Sequence, residues 1–255
     1  NHRKNFATGI AIDPTHVVST IKLTQQPYDE IYIETAKGKR FTAQLVGKDY
    51  KSSLILLKIN EKALTPIKPA RVYEVGDWVA LVGAFYKEFP SVYQGILSSA
   101  LEDQVVLNAP VVPGASGGAV LNKKGELIGV IRGRIGFAFA PAYTFKDHSG
   151  EIHIESANSQ TKDLCAAVPV KVVMEIADEL KQYGKVKRGW LGINIIGNDE
   201  KPMKISMIIK NSPAEKAGLR VGDTIDSIDG NSPKEPSDGT NSVRELKPAK
   251  KVKIQ

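Results

Sequence analysis

From Ala7 to about Val168 the sequence falls into short runs rich in Val, Ile, Leu and aromatic residues, each bounded by turn formers. Gly9–Ile12, Glu30–Glu34, Phe41–Val46, Leu54–Ile59, Trp78–Val82 and Leu127–Ile131 are examples. Runs of this length read as strands, and a long succession of them with little helical periodicity confines a chain to a sandwich or a barrel. Ala36-Lys-Gly-Lys and Asn122-Lys-Lys-Gly place glycine where a hairpin turn takes positive φ. The segment Pro69–Asp77 separates two groups of strands, so the pattern predicts two small barrels joined by a linker.

Helical spacing enters at Pro169–Gly184. Proline opens it, Val172, Val173, Ile176 and Leu180 form one apolar stripe, and Gly184 closes it. A second domain begins at Arg188-Gly-Trp-Leu-Gly-Ile and contains Ser212-Pro-Ala-Glu, a capping box with proline in the first turn, ended by Gly218. Val221–Gly230 reads as a strand and a turn, and Val252–Gln255 reads as the middle of a strand, so the last domain is expected to be incomplete as given. Gly133–Leu164 is longer than an ordinary connection and reads as an insertion with a hairpin at His148–His153.

A chain of 255 residues, 42% of them hydrophobic, is long enough for two cores. No apolar stretch approaches the roughly 18 residues of a spanning helix, and Asn1–Asn5 is not followed by the apolar core of a signal peptide. Any targeting or anchoring segment is therefore expected outside this sequence. The net charge of +7 is spread along the chain among Asp and Glu rather than clustered with aromatics, which reads as a solvated surface and not a nucleic-acid face. Cys165, the single cysteine, lies between Leu164 and Ala166 and reads as a small core residue.

The most informative stretch for chemistry is Pro113-Gly-Ala-Ser-Gly-Gly-Ala-Val. An acyl-transfer nucleophile sits on a tight turn whose backbone N–H groups converge on the developing oxyanion, and Gly114, Ala115, Ser116 and Gly117 can make such a turn. A glycine-rich hairpin with an incidental serine has the same local sequence. Context separates the two readings. Thr8-Gly-Ile-Ala-Ile-Asp-Pro, Leu45-Val-Gly-Lys-Asp, Gly114-Ala-Ser-Gly-Gly, Tyr183-Gly-Lys-Val-Lys-Arg-Gly-Trp-Leu-Gly-Ile and Ser212-Pro-Ala-Glu-Lys-Ala-Gly-Leu-Arg-Val-Gly-Asp follow one another in order. With these motifs the chain resembles the HtrA/Deg family of trypsin-like serine proteases with PDZ domains.

The resemblance implies a mostly β chain. It would hold two six-stranded Greek-key barrels of the chymotrypsin fold, about 6–62 and 76–168, and a helix at 169–183 packed on the second barrel. Together these make a protease domain over 1–185, followed by a partial PDZ domain over 186–255. It also implies an extracytoplasmic, often periplasmic, place in protein quality control, trimeric assembly and no cofactor. The nucleophile of the family maps onto Ser116, with the oxyanion hole at Gly114, Ala115 and Ser116. The family's catalytic histidine maps onto Lys22, directly after His16–Ile21, and its aspartate onto Ser53, before Leu54-Ile-Leu-Leu-Lys. Using His16 instead would delete the strand that should precede the histidine, and Asp49 matches a separate family aspartate. The intervals from Lys22 to Ser53 and from Ser53 to Ser116 leave no room for a hidden triad.

These substitutions point to a pseudoprotease that binds polypeptides or associates with active relatives. The alternative is an active endopeptidase in which Lys22, stripped of solvent, serves as the base for Ser116. For the PDZ segment the resemblance implies binding of polypeptide C-termini. Trp190, Leu191, Gly192 and Ile193 would form the carboxylate loop, Ile193 and Ile195 the docking strand, and Val243 and Leu246 the facing helix. The same isoleucines also suit a strand core. His148 and His153, with Asp147, Glu151 and Glu155, could ligate a metal if a hairpin brought both rings to one face, but five residues apart they alternate to opposite faces of a simple strand, so they read as a solvated loop and no metal is expected.

Overall fold

The computed structural model describes residues 5–134, 142–146, 152–156, 164–198, 201–233 and 251–255, and the chain divides into two compact units, Asn1–Val186 and Lys187–Gln255. In the first unit β1 (Gly9–Ala11), β2 (His16–Thr20), β3 (Ile31–Glu34), β4 (Arg40–Asp49) and β5 (Leu54–Ile59) form a five-stranded antiparallel sheet in the order β1-β2-β5-β4-β3. Leu54–Leu57 are all buried, because β5 is central and covered on both faces. Next, β6 (Trp78–Phe85), β7 (Glu88–Ala100), β8 (Val105–Asn108), β9 (Ala119–Leu121) and β10 (Leu127–Arg134) precede two strands that pair antiparallel, β11 (Ala142–Lys146) and β12 (Ile152–Ser156). With β13 (Leu164–Pro169), strands β6 to β10 close a six-stranded barrel.

The closed six-stranded barrel agrees with the sequence expectation. The first group differs, since its described strands number five and form an open sheet. A different element covers it. Helix α1 (Val170–Tyr183) buries Val170, Val173, Ile176, Ala177 and Leu180 in one cluster with Ile10, Val18, Leu54 and Leu56 of the sheet and Leu127, Val130 and Val168 of the barrel. It therefore does not pack on the second barrel alone, as expected, but seals the seam between sheet and barrel. Its apolar face is wide enough to meet both.

Gly47 makes the approach on the sheet side possible. A Cβ at that position would lie 2.3 Å from the Gly184 carbonyl oxygen and 2.9 Å from Leu180 Cδ2. Backbone cannot yield as a flexible side chain does, so Gly47→Ala is expected to cost about 1–3 kcal/mol by overpacking, read as a shift of the urea midpoint at unchanged m.

Asp13 ties the same helix to β2. Its Oδ1 accepts the N–H groups of Thr15 and His16, each at 2.8 Å, while His16 Nδ1 and Lys181 Nζ stand 2.9 and 3.1 Å from Oδ2. Burial would raise the carboxyl's pKa, but the Thr15 N–H, His16, Lys181 and the Thr15 hydroxyl outweigh it and hold the group well below the carboxylate range. A depressed folded value gives stability above the unfolded pKa of about 4 that is lost as pH falls. Asp13→Asn is thus expected to lower stability by about 1–2 kcal/mol at neutral pH, with a smaller gap at pH 3, by urea denaturation. Cys165 is fully buried in the barrel core, and burial pushes its thiol up to about 12, consistent with a packing role.

In the second unit β14 (Ile193–Asn198) pairs antiparallel with β15 (Lys201–Ile208). The short helix α2 (Pro213–Lys216) begins with half of the capping box, Ser212 Oγ accepting from Glu215 N at 3.2 Å, while Glu215 Oε2 accepts at 2.6 Å from Asn211 N, one residue before the cap. Met203, Ile205, Ile225 and Ile228 are its core. Among the described residues no helix is long and apolar enough to cross a membrane.

Candidate functional site

Ser116 lies on the turn between β8 and β9, and the turn is fixed by its own backbone. Ala115 N–H donates to the Val112 carbonyl at 3.0 Å, Gly118 N–H to Ala115 at 2.9 Å, and Gly117 N–H to Ile131 of β10 at 2.8 Å. Gly114 takes φ 88°, and a Cβ there would meet the Ala84 carbonyl oxygen at 2.4 Å, so no other residue fits. Among the described residues the N–H groups of Gly114 and Ser116 have no acceptor, whereas that of Ala115 is committed to the turn. An oxyanion would thus find two donors here, not three.

Lys22 and Ser53 are brought to the same place by a backbone link. β2 ends in a 3₁₀ turn, Ile21–Thr24, started by Thr20, whose Oγ1 accepts from Lys22 N at 3.4 Å. Ile21 N–H donates to the Ser53 carbonyl at 2.8 Å, which clamps this turn to the one before β5, where Ser53 adopts φ 62°. The Lys22 side chain then reaches Ser116. Its Nζ donates to Ser116 Oγ at 2.9 Å, and Oγ in turn donates to the Arg132 carbonyl at 3.0 Å. Ser116 Oγ thus stands between a side-chain nitrogen and a backbone carbonyl.

Neither of the other carboxylate or histidine candidates joins this site. His16 sits at the opposite end of β2 from Lys22, bound to Asp13. Asp49 Oδ2 accepts from Ser52 N–H at 3.0 Å and from Ser52 Oγ at 2.6 Å, in the local turn that its Gly-Lys-Asp context suggests. Among the described residues no histidine and no carboxylate hydrogen-bonds to Ser116 or Lys22.

Sequence reasoning missed Arg132. The ladder between β10 and β13 shifts register between Ile131 and Gly133, so Arg132 occupies a bulge, and its Nη2 donates to the Lys51 carbonyl at 3.2 Å. It spans from the serine's acceptor to the turn that holds Ser53. Lys22, Ser53, Arg132 and Arg134, with Gln104, Gly133 and Ala166, line an open cavity of about 360 Å³. The available signal was Ile131-Arg-Gly-Arg, two cations two residues apart at the end of a buried strand.

In the second unit, Leu191 and Gly192 donate their N–H groups to no acceptor among the described residues. Their carbonyls are engaged, accepting from Ala214 N at 3.0 Å and Ile209 N at 2.8 Å. Trp190 is largely exposed, while Ile193 and Ile195 lie half-buried against the Met203 cluster. Val243 and Leu246, expected opposite them, lie outside the described residues, as do Asp147, His148 and Glu151. His153 and Glu155 fall on β12.

The trypsin-like peptidase domain family matches residues 7–130 and the PDZ domain family matches residues 180–255. The solved structure of the HtrA-type protease AlgW with a decapeptide superposes at a TM-score of 0.78 and 25% identity, covering 97% of this chain and 77% of that one. The chain belongs to the HtrA-type trypsin-like proteases with a PDZ domain. Among curated relatives of this HtrA-type chain, the serine endoprotease DegS of Haemophilus influenzae is 31% identical over 87% of the chain and 64% of its own length. A probable periplasmic serine endoprotease of the DegP-like type from Pseudomonas putida is 28% identical over 99% of the chain and 53% of its own length. The chain thus spans about half the length of the DegP-like relatives it matches.

Proposed function

We propose that this HtrA-type chain binds polypeptides without cleaving them, through its peptidase cleft and its PDZ segment. The observation that carries the reading is the bonding of Ser116 Oγ between Lys22 Nζ and the Arg132 carbonyl, at 2.9 and 3.0 Å. In this reading Lys22 replaces the histidine and Ser53 the aspartate of a triad. The members of a triad act together, and in subtilisin removing the histidine alone costs on the order of a millionfold in kcat. A polypeptide can still dock at such a cleft. Relatives named periplasmic favour an extracytoplasmic location, and trimers or assembly with active relatives belong to the same proposal.

A second reading is favoured by the same 2.9 Å contact: Lys22 as the base of a serine–lysine dyad, with the Gly114 and Ser116 N–H groups as oxyanion donors. A lysine works as a base when burial removes its solvent, and Lys22 is exposed, which supports the first reading over this one. Casein digestion decides between them, with Ser116→Ala as the blank. Cleavage no faster than the blank is expected; cleavage well above it establishes the dyad.

A further inference from the structure

Two cations meet at the serine turn without a counter-charge. Lys22 Nζ is spent only on Ser116 Oγ, and Arg132 only on the Lys51 carbonyl, so neither forms an ion pair among the described residues. Of the five N–H donors on a guanidinium, Arg132 therefore uses one. Arg134, which has partners of its own, borders the same cavity. Like charges gathered this closely repel, and an anion between them relieves the repulsion while supplying acceptors for the idle donors.

The cavity also limits what that anion can be. At about 360 Å³ it is the size of one side chain with some solvent, and among the described residues no aromatic lines it to stack a base. Two of its lining residues, Lys22 and Arg132, bond Ser116, so it lies beside the serine turn. We infer that Lys22 and Arg132 hold, in this cavity, the carboxylate of a glutamate or aspartate side chain from a bound polypeptide. This inference rests on the proposed polypeptide-binding role and names its ligand class: acidic, internal segments. Ser53, where a carboxylate would compete for the same cations, is uncharged and compatible with that use.

The test uses the whole chain and short fluorescent peptides with amidated C-termini, one rich in glutamate and one with glutamine in its place, read by anisotropy. The glutamate peptide is expected to bind about tenfold tighter or better at low salt, and the preference should fade as salt rises. Combining Lys22→Gln with Arg132→Gln should abolish the preference while leaving the melting temperature close to that of the parent. Inorganic phosphate, the other source of anionic chemistry, should displace the peptide only weakly. Three outcomes overturn the inference. Equal binding of both peptides would remove the charge preference but leave polypeptide binding standing. A preference that survives in the double variant would place the acidic contact elsewhere. Failure of both peptides would remove the proposed polypeptide role as well, and phosphate binding in that case would mark a site for a free anion.

Discussion

Changing Lys22→His, Ser53→Asp and Arg132→Ser together is expected to raise casein cleavage at least a thousandfold above that of the unaltered chain. The serine turn still offers the Gly114 and Ser116 N–H groups, so the missing parts are a base and the group that orients it. In trypsin the orienting aspartate is worth about four orders of magnitude, because it fixes the histidine tautomer and stabilises the imidazolium. Ser53 already adopts φ 62°, a conformation that Asp tolerates better than most residues, so the backbone accepts the change. The third substitution is needed because the Arg132 guanidinium lies in the same cavity as Ser53. There it would draw the new carboxylate into an ion pair and away from the histidine. Without Arg132→Ser the two-residue change should fall well short of the triple one. A triple variant that folds but stays inert would show that the oxyanion turn or the substrate cleft has also decayed.

Amidating the C-terminus of a peptide that binds the PDZ segment is expected to weaken it tenfold or more. The loop at Leu191 and Gly192 presents two successive N–H groups with no acceptor among the described residues, while the carbonyls behind them are held by Ile209 and Ala214. Adjacent outward N–H groups of this kind form a concavity suited to an anion. A hydrogen bond to a charged acceptor contributes about 1.5–3 kcal/mol, and each 1.4 kcal/mol is tenfold in affinity. Anisotropy with a C-terminal peptide library, free acid against amide, measures the effect directly. Equal affinities would mean that these N–H groups serve some other end.

Much of the fold was legible because β strands advertise themselves when one face or both are buried. Leu54–Ile59 reads as a strand from its unbroken apolar run, and it is the central strand of its sheet. The long β7 gave little signal, since Pro90, Gly95 and several serines dilute it and most of its residues are exposed at least in part. The placement of α1 was only half legible. Its apolar stripe is written in its own sequence, but the space that receives it is set by Gly47, far away in the chain.

At the site, the family resemblance was enough to align Lys22 and Ser53 with Ser116, and the structure brings the first and last within a hydrogen bond. Arg132 was not legible in the same way. Its side-chain direction depends on a bulge that shifts the register of β10 against β13, and such a bulge leaves no clear mark in the local sequence. The even scatter of Lys and Arg along the chain likewise hid the fact that Lys22, Arg132 and Arg134 line one cavity.

Labelling with a fluorophosphonate tests most directly whether Ser116 is a nucleophile, because the reagent bonds only to a serine hydroxyl that a base has activated. With Lys22 donating to Ser116 Oγ and the hydroxyl proton directed at the Arg132 carbonyl, the folded chain is expected to label no more than Ser116→Ala does. Labelling at Ser116 that is absent in Ser116→Ala, and that disappears on Lys22→Gln, would contradict the non-cleaving account and establish lysine as the base.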